Sequence, residues 1–286
     1  RRRRASILRG GGVMQRLGYV VLYMILILIA IVQIFPLFWL FLFSLKDNQQ
    51  IFAQSPFSLP DHPHWENYVK AWQGNIGIYF FNSVWISAVA IVLTVLFASM
   101  ATFAITRMKW KLSKLVLGLF MVGLMIPLHS ALIPLFKLYL SVNLIDNPIS
   151  VFLSYTAFHL PVTMMILLGF YYTLPKEIEE AAIMDGCSVN LLFIRIILPM
   201  TTSVLSTTVI INMIYNWNEF VFVNTFISSD KYKTLTVGIQ NFIGQYQTDW
   251  GPIGATLIIS MVPIIVLYIF FSNKIVEGMS SSAIKG

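Results

Sequence analysis

Four carboxylates fall within nine residues of a largely apolar chain, and they are Glu177, Glu179, Glu180 and Asp185. They lie in a polar segment between Pro175 and Gly186, with an apolar run on either side. Of the 286 residues, 57% are hydrophobic and 11% are charged, whereas soluble domains carry about 25% charged residues. Carboxylates at this density can offer negative charge and hydrogen bonds to a water-soluble partner. We therefore expect the polar segment to be a docking site.

The residue order in this segment predicts a short helix. Pro175 suits the first helical turn, where its missing N–H group would be unpaired in any case. The acidic side chains that follow lie near the positive end of the helix dipole. Spacings of three and four residues place side chains on one helix face, and here they are Ile178, Ala181, Ala182 and Asp185. Two alanines on such a face make it thin and flat enough to enter a groove.

A turn and a second helix are predicted to follow the first helix. Gly186 is expected to end the first helix in the left-handed conformation that glycine adopts readily. Ser188 is a candidate N-cap for the second helix, and Pro199 is expected to close it. Cys187 is the single cysteine of the sequence, so an internal disulfide is excluded.

Six apolar runs are long enough to cross a bilayer, which takes about 20 residues. They are residues 17–43, 82–106, 113–136, 150–173, 202–226 and 254–273. The third run is the least regular, because Pro127, His129 and Pro134 interrupt it. The long connection between the first two runs is expected to be an exterior loop with some helix around Trp65 to Trp72. The predicted fold class is all-α, a polytopic membrane helix bundle with about six transmembrane helices.

The basic residues predict the orientation of this bundle. Most of the 19 lysines and arginines precede the first span, separate the second from the third, or lie near the polar segment and the C-terminus. By the positive-inside rule, both termini and the polar segment are cytoplasmic. We expect a cytoplasmic tail over 1–16, a transmembrane domain over 17–273 with a cytoplasmic docking loop at 174–200, and a cytoplasmic tail over 274–286. The net charge of +7 then reflects topology and attraction to the inner leaflet, so membrane lipid is an expected partner and nucleic acid is not.

The docking loop resembles the EAA loop of ABC importer permeases. The likeness is the order Glu180-Ala181-Ala182, three residues, Gly186, nine residues, and then Ile196-x-Leu198-Pro199, with Asp185 before the glycine. Other parts of the chain are similar to sugar-type permeases related to the smaller membrane subunit of the maltose importer. Those parts are Asn82-Ser83, Trp217-Asn218-Glu219-Phe220 and the C-terminal stretch 271–286.

This resemblance implies a type I ABC importer permease fold and carbohydrate import across the bacterial inner membrane. Such a permease forms a heterodimer with a second, related permease subunit, binds two ATPase subunits, and receives its sugar from an exterior solute-binding protein. In the family, the EAA helix sits in a cleft of the ATPase, a role that would fall to Glu180, Ala181, Ala182, Asp185 and Gly186. The family's C-terminal tail also reaches the ATPases, which would make contacts of Ala283, Ile284, Lys285 and Gly286.

Sequence motifs indicate that the chain is not an enzyme. It has no G-x-x-x-x-G-K-[ST] string to cradle ATP phosphates, so we expect no bound cofactor here and place ATP and Mg²⁺ on partner subunits. It also has no H-E-x-x-H motif and no nucleophile elbow, so neither a catalytic residue nor a metal site is expected. An ion-gradient-driven secondary transporter and a membrane enzyme remain as alternatives, and the importer subunit is favoured over both.

Two further sets of residues are candidates for contact with substrate or with its carrier. A sugar site needs a few polar groups on an apolar and aromatic wall, and the candidates in the fifth span are Asn212, Tyr215, Asn216 and Asn218. The alternative is that these side chains hydrogen-bond between helices. By position, the exterior loop before the sixth span carries the candidate binding-protein contacts Gly244, Gln245, Tyr246, Gln247 and Asp249. The alternative there is a plain interfacial loop.

Overall fold

The computed structural model describes residues 2–108, 110–243 and 248–283, with side chains for 16–108, 110–243 and 248–270. Its regular structure is helical, which confirms the all-α prediction. The α-helices are α1 (Arg2–Ser44), α2 (Asn48–Ala53), α3 (Glu66–Ala71), α4 (Gly77–Arg107), α5 (Ser113–Gly123), α6 (Leu128–Ser141), α7 (Pro148–Tyr171), α8 (Lys176–Met184), α9 (Val189–Leu192), α10 (Leu198–Met200), α11 (Thr202–Asn218), α12 (Val221–Phe226), α13 (Leu235–Gly238) and α14 (Trp250–Ala283).

The described residues contain four to six membrane spans. Four helical stretches are long and apolar enough to cross a bilayer, and they are Arg16–Ser44, Glu66–Arg107, Pro148–Tyr171 and Trp250–Phe270. Two bent pairs of helices add up to two more spans, Ser113–Gly123 with Leu128–Ser141 and Val189–Met200 with Thr202–Asn218. The predicted helix between Trp65 and Trp72 is also present, as α3. A polytopic bundle of about six spans is therefore confirmed.

The third predicted span is not one straight helix. α5 and α6 meet at 102° across the break before Leu128. Pro127 stands at the N-cap of α6 with an extended backbone (φ −66°, ψ 132°). Proline has no N–H to donate, and it pushes the residue before it out of the helical region. The irregularity read from the sequence at this proline is thus a sharp bend.

The fifth predicted span, 202–226, is wrong at its far end. α11 stops at Asn218, and Glu219 is extended (φ −70°, ψ 131°) before α12 begins at Val221. The predicted fifth span joined α11 and α12 into one run, although Asn216, Asn218 and Glu219 interrupt it at the break. The break follows from the Glu219 side chain, which accepts hydrogen bonds from the free N–H groups of α12.

The chain divides into two compact units, Arg1–Ala71 with Gly244–Ile258 and Trp72–Ile243 with Ile259–Gly286. In the first unit, the amide of Asn67 donates to the carbonyls of Ser44 and Lys46, both at 2.9 Å. Gly251 lies so close to this amide that an added Cβ would come within 2.5 Å of Asn67 Nδ2. The start of α14 therefore packs on this polar joint only because residue 251 has no side chain.

The second unit is built around α4 and α7. The buried face of α4 carries small residues at three- and four-residue spacing, and they are Ser83, Ser87, Ala90, Thr94, Ala98 and Thr102. Small residues let two helices approach closely in a membrane, where packing rather than water exclusion drives association. One buried cluster at the Ile86 end of α4 includes α12, and another at the Phe103 end includes α8 and α9. The docking segment thus belongs to the Phe103 end of the α4–α7 pair.

Candidate docking segment and polar membrane sites

The polar segment folds as the predicted helix, turn and second helix. Pro175 lies one residue before α8 with an extended backbone and not in the first helical turn as the sequence predicted. Gly186 has φ +79°, and no heavy atom would lie within 4 Å of an added Cβ there. Glycine is therefore required for its backbone conformation and not for space. The Ser188 side chain accepts a hydrogen bond from Leu191 N–H and caps α9.

The second helix does not end at Pro199 as expected. α9 continues through a π-helical stretch, Phe193–Ile197, into α10, and the bend comes at Thr201. Pro199 lies in the first turn of α10, where a missing N–H is tolerated. The segment and α11 then form a pair bent by 75°.

The faces of α8 differ from the single alanine face that spacing predicted. Ala182 is buried with Tyr171 and Leu192 in the cluster at the Phe103 end of α4, so it faces the chain's own core. Glu180, Ala181, Asp185 and Gly186 are exposed. The core at the Phe103 end of α4 covers the side of α8 that carries Glu179 and Ala182, and Ala181 is turned about 100° away from Ala182 around the helix. We call the exposed residues Glu180, Ala181, Asp185 and Gly186 the outer ridge.

An ion pair beneath α8 was not foreseen from the sequence. Arg107 Nε lies 3.1 Å from Glu179 Oε1, and the two side chains are only 6% and 11% exposed. The same guanidinium group donates from Nη2 to the carbonyls of Tyr171 at 2.6 Å and Leu174 at 3.2 Å. It therefore contacts the last residue of α7, the turn that follows, and the first turn of α8.

The only sequence signal for this pair was indirect. Arg107 ends a long apolar helix and is one of the basic residues between the second and third predicted spans. From the sequence, any of the four carboxylates of the polar segment could pair with Arg107. In the structure, the burial of Glu179 distinguishes it from the other three. Burial raises the pKa of Glu179, while the neighbouring charges of Arg107 and Lys176 act in the opposite direction.

The proposed substrate-path residues separate into buried and exposed groups. Asn212 is 2% exposed. Its amide donates to Thr163 Oγ1 on α7 at 2.9 Å and to the carbonyl of Thr208 at 2.8 Å. These contacts fit the alternative of an interhelical hydrogen bond. Asn218 is exposed, and its amide donates to the carbonyl of Ile214 in its own helix.

Tyr215 and Asn216 lie next to His159 of α7. The Tyr215 ring is 56% exposed and stacks on the imidazole with 5.4 Å between ring centroids. Asn216 is buried, and within the described part of the chain neither of its amide atoms has a well-aligned hydrogen-bond partner. The result is an aromatic surface with a buried amide beside it, the pattern that carbohydrate walls use.

Glu219 does not simply reach water. Its carboxylate accepts hydrogen bonds from the backbone N–H groups of Phe222 at 2.7 Å and Val223 at 3.4 Å. The buried hydroxyl of Tyr155 donates to the same group at 3.0 Å. Glu219 therefore caps α12 and ties it to α7.

The predicted binding-protein contacts are only partly within the described residues. Gly244, Gln245, Tyr246 and Gln247 lie outside them. Asp249 lines an open polar cavity of about 460 Å³ in the first unit, together with Asp47, Asn48, Gln49 and Lys70. Asn48 positions this end of the loop, because its amide donates to the Thr248 carbonyl and accepts from Trp250 N–H.

The predicted C-terminal ATPase contacts are also largely outside the described residues. Ala283 is the last residue of α14. Ile284, Lys285 and Gly286 lie beyond the described ranges. α14 extends ten residues past the predicted end of the sixth span at 273.

Comparison with known proteins places the chain in a family. The model described as "Binding-protein-dependent transport system inner membrane component" matches residues 94–280, which include Arg107, the docking segment and α11. The chain belongs to this family. This permease is accordingly an inner-membrane component of an ABC importer and not the ATPase. ABC importers of this family work with an ATPase and a solute-binding protein.

Several named relatives match the permease over nearly its whole length. Probable ABC transporter permease protein YurM of Bacillus subtilis is 36% identical over 268 residues, which cover 94% of this chain and 88% of YurM. Diacetylchitobiose uptake system permease protein NgcG of Streptomyces coelicolor is 33% identical, with 91% and 87% covered. Trehalose/maltose transport system permease protein MalG of Thermococcus litoralis is 31% identical, with 91% and 94% covered.

A solved structure has the same fold. It is the crystal structure of a bacterial ABC transporter involved in the import of the acidic polysaccharide alginate. The matching chain has a TM-score of 0.78 and 16% sequence identity, and the match covers 90% of this chain and 96% of that one. At this identity the likeness shows the fold alone, which agrees with the predicted type I importer permease fold.

Proposed function

We propose that this permease forms a heterodimer with a second, related permease subunit and imports a sugar or oligosaccharide. The relatives named for diacetylchitobiose and for trehalose or maltose support the carbohydrate class. An exterior solute-binding protein would deliver the sugar. Two ATPase subunits would hold ATP and Mg²⁺, since this sequence has no phosphate-binding glycine loop. The docking loop at 174–200 and the tails at 1–16 and 274–286 would all be cytoplasmic.

The outer ridge of α8 is the observation that carries the docking role. It presents two carboxylates, Glu180 and Asp185, on a helix of nine residues whose opposite side is packed into the membrane unit. A helix whose inner side is packed against the protein and whose outer side is charged can dock in a groove of a soluble partner. Ala182 would support α8 from inside, which narrows the predicted docking set to Glu180, Ala181, Asp185 and Gly186.

ATP would drive transport through rigid-body motion of this helix. Closure of the two ATPases on ATP would carry the docked α8 with it, and the membrane bundle would change from inward- to outward-facing. Such a cycle needs each ligand to bind one state better than the other. The loop with Asp249 would contact the binding protein on the far side of the membrane, and residues 283–286 would contact the ATPases.

The substrate path would include residues of α11. Tyr215 supplies an exposed aromatic face, and Asn216 and Asn218 supply amides near it. Asn212 is better assigned to the helix contact with Thr163. A sugar would stack on Tyr215 and hydrogen-bond to the amides.

The docking proposal is tested on the whole transporter in proteoliposomes. Glu180→Arg reverses the charge of the outer ridge, so uptake per ATP hydrolysed is expected to fall about tenfold, within the usual range of coupling between sites. Glu66→Arg is the matched control, because it makes the same charge change at an exposed residue of α3 in the first unit. Wild-type uptake per ATP in Glu180→Arg would refute the docking role.

A further inference from the structure

The packing of α8 raises the question of how its motion reaches the spans. α8 is short, and its inner side carries only two buried residues, Glu179 and Ala182. Ala182 offers a single methyl group to its neighbours. Glu179 instead reaches Arg107 at the end of α4, a 31-residue helix at the centre of the second unit. The ion pair is thus the polar link between α8 and the longest helix of that unit.

We infer that Arg107 and Glu179 form a positioning pair that makes α8, α4 and α7 move as one body when the ATPases close. This inference rests on the proposed docking of α8. The pair lies on the inner side of α8, apart from the exposed outer ridge. It transmits displacement, because a guanidinium group that binds a carboxylate and two carbonyls fixes three elements at one point.

The chemistry of arginine suits this role. Its planar guanidinium presents five donors in a fixed fork, so several acceptors are held in defined directions at once. Tyr171 is the last residue of α7 and Leu174 lies in the turn that follows, and carbonyls at the C-terminus of a helix carry negative partial charge. Arg107 is therefore anchored to α7 independently of α8. The Glu179 carboxylate can therefore be replaced without removing the contacts between Arg107 and α7.

Stability is a poor reason for such a pair. Taking two charges out of water is costly, and apolar replacement of both partners is often neutral or favourable. Burial raises the pKa of Glu179 despite the adjacent arginine, so desolvation outweighs the attraction at this site. An apolar pair would hold α8 through packing alone. The ion pair adds an attraction between two buried opposite charges 3.1 Å apart, although Arg107 Nε and Glu179 Oε1 are not aligned for a hydrogen bond.

The decisive experiment separates transmission from stability. The double variant Arg107→Met/Glu179→Met removes both charges and leaves side chains of comparable length, so the transporter should assemble with near wild-type thermal stability. Uptake per ATP hydrolysed in proteoliposomes should nonetheless fall about tenfold. A pair with a structural role only would recover uptake together with stability, and that result would overturn the inference.

Two conservative variants decide the matter if the double variant does not assemble. Glu179→Gln keeps the shape of the side chain and is expected to lower uptake per ATP about fivefold. Arg107→Lys keeps the charge but not the fork, and an intermediate loss is expected. Wild-type coupling in Glu179→Gln would overturn the inference. Lys114→Met, which removes an exposed cation from the first turn of α5, is the control.

The outcome for Glu180→Arg distinguishes this inference from the docking proposal. If Glu180→Arg uncouples uptake from hydrolysis and the pair variants do not, docking stands and the positioning pair is wrong. If Glu180→Arg couples normally, the docking proposal is what fails.

Discussion

Two carboxylates of the second unit, Glu179 and Glu219, have different kinds of partner. Glu179 faces the cation Arg107 at 3.1 Å beneath α8. Glu219 accepts from neutral donors, the hydroxyl of Tyr155 and the first N–H groups of α12. The cap at Glu219 holds a helix start to its neighbour within one end of the bundle. The pair at Glu179 joins three elements across a turn, which is the geometry needed for them to move as one body.

This contrast teaches where charge is needed. A helix N-terminus supplies its own positive partial charge and free N–H groups, so a carboxylate there needs no cation. Glu179 also lies in the first turn of a helix, but its Oε1 atom has no hydrogen-bond donor among the described residues and faces the cation Arg107 instead. Variants at the two sites should therefore differ in size of effect and in kind.

The largest expected effect comes from Arg107→Met. Removing one partner leaves the Glu179 carboxylate buried and unpaired, and such losses cost about 3 kcal/mol in the free energy of unfolding. Denaturant unfolding of the purified permease in micelles measures this. Adding Glu179→Met should restore most of the loss. If the single variant were as stable as wild type, the pair would contribute nothing and the contrast with Glu219 would disappear.

Glu219→Ala should have the next largest effect. It removes the cap of α12 and leaves the Tyr155 hydroxyl without its acceptor, which together cost about 2 kcal/mol. Uptake per ATP hydrolysed should stay at the wild-type value, since Glu219 is not part of the Arg107–Glu179 pair. Glu219→Gln keeps one accepting oxygen and should lose less. A changed ratio of uptake to hydrolysis in Glu219→Ala would break the comparison by giving both carboxylates the same role.

Gly186→Ala tests the turn that follows α8. The backbone there is left-handed at φ +79° with open space around it, so the loss should be only the backbone strain, about 1 kcal/mol. Gly186→Asn is the control, because asparagine tolerates this conformation better. Equal losses in the two variants, measured by the same denaturant unfolding, would show that side-chain space rather than backbone strain governs the site.

The smallest effect is expected at Asn212. A hydrogen bond between membrane helices contributes about 0.6 kcal/mol on average, and a double-mutant cycle with Thr163→Ala should return a coupling energy of that size. Sugar uptake should be nearly unchanged in Asn212→Ala, whereas Tyr215→Ala should impair it. Strong loss of uptake in Asn212→Ala with no coupling to Thr163 would return Asn212 to the substrate path.

Much of the fold could be predicted from the amino-acid sequence. Apolar runs of sufficient length predicted the spans, because a helix of about 20 apolar residues crosses the bilayer with every backbone hydrogen bond made within the segment. Gly186 and Ser188 predicted the turn and the cap after α8, since both depend on local geometry. The sequence also singled out Glu180, Ala181, Asp185 and Gly186, which are exposed on the outer ridge, and their docking role stays a prediction. Local chemistry within a few residues was sufficient for each of these.

Other features depended on residues far apart in the sequence. Ala182 turned inward because the core at the end of α4 lies on that side. α11 ends at Asn218, where Glu219 caps α12 and also accepts a hydrogen bond from Tyr155, which lies 64 residues away in the sequence. The choice of Glu179 among four carboxylates depended on Arg107, which belongs to another helix. Periodicity and composition carry no information about which distant side chain will contact a given helix face. In a buried site, that contact decides whether a carboxylate pairs with a cation, as Glu179 does, or caps a helix, as Glu219 does.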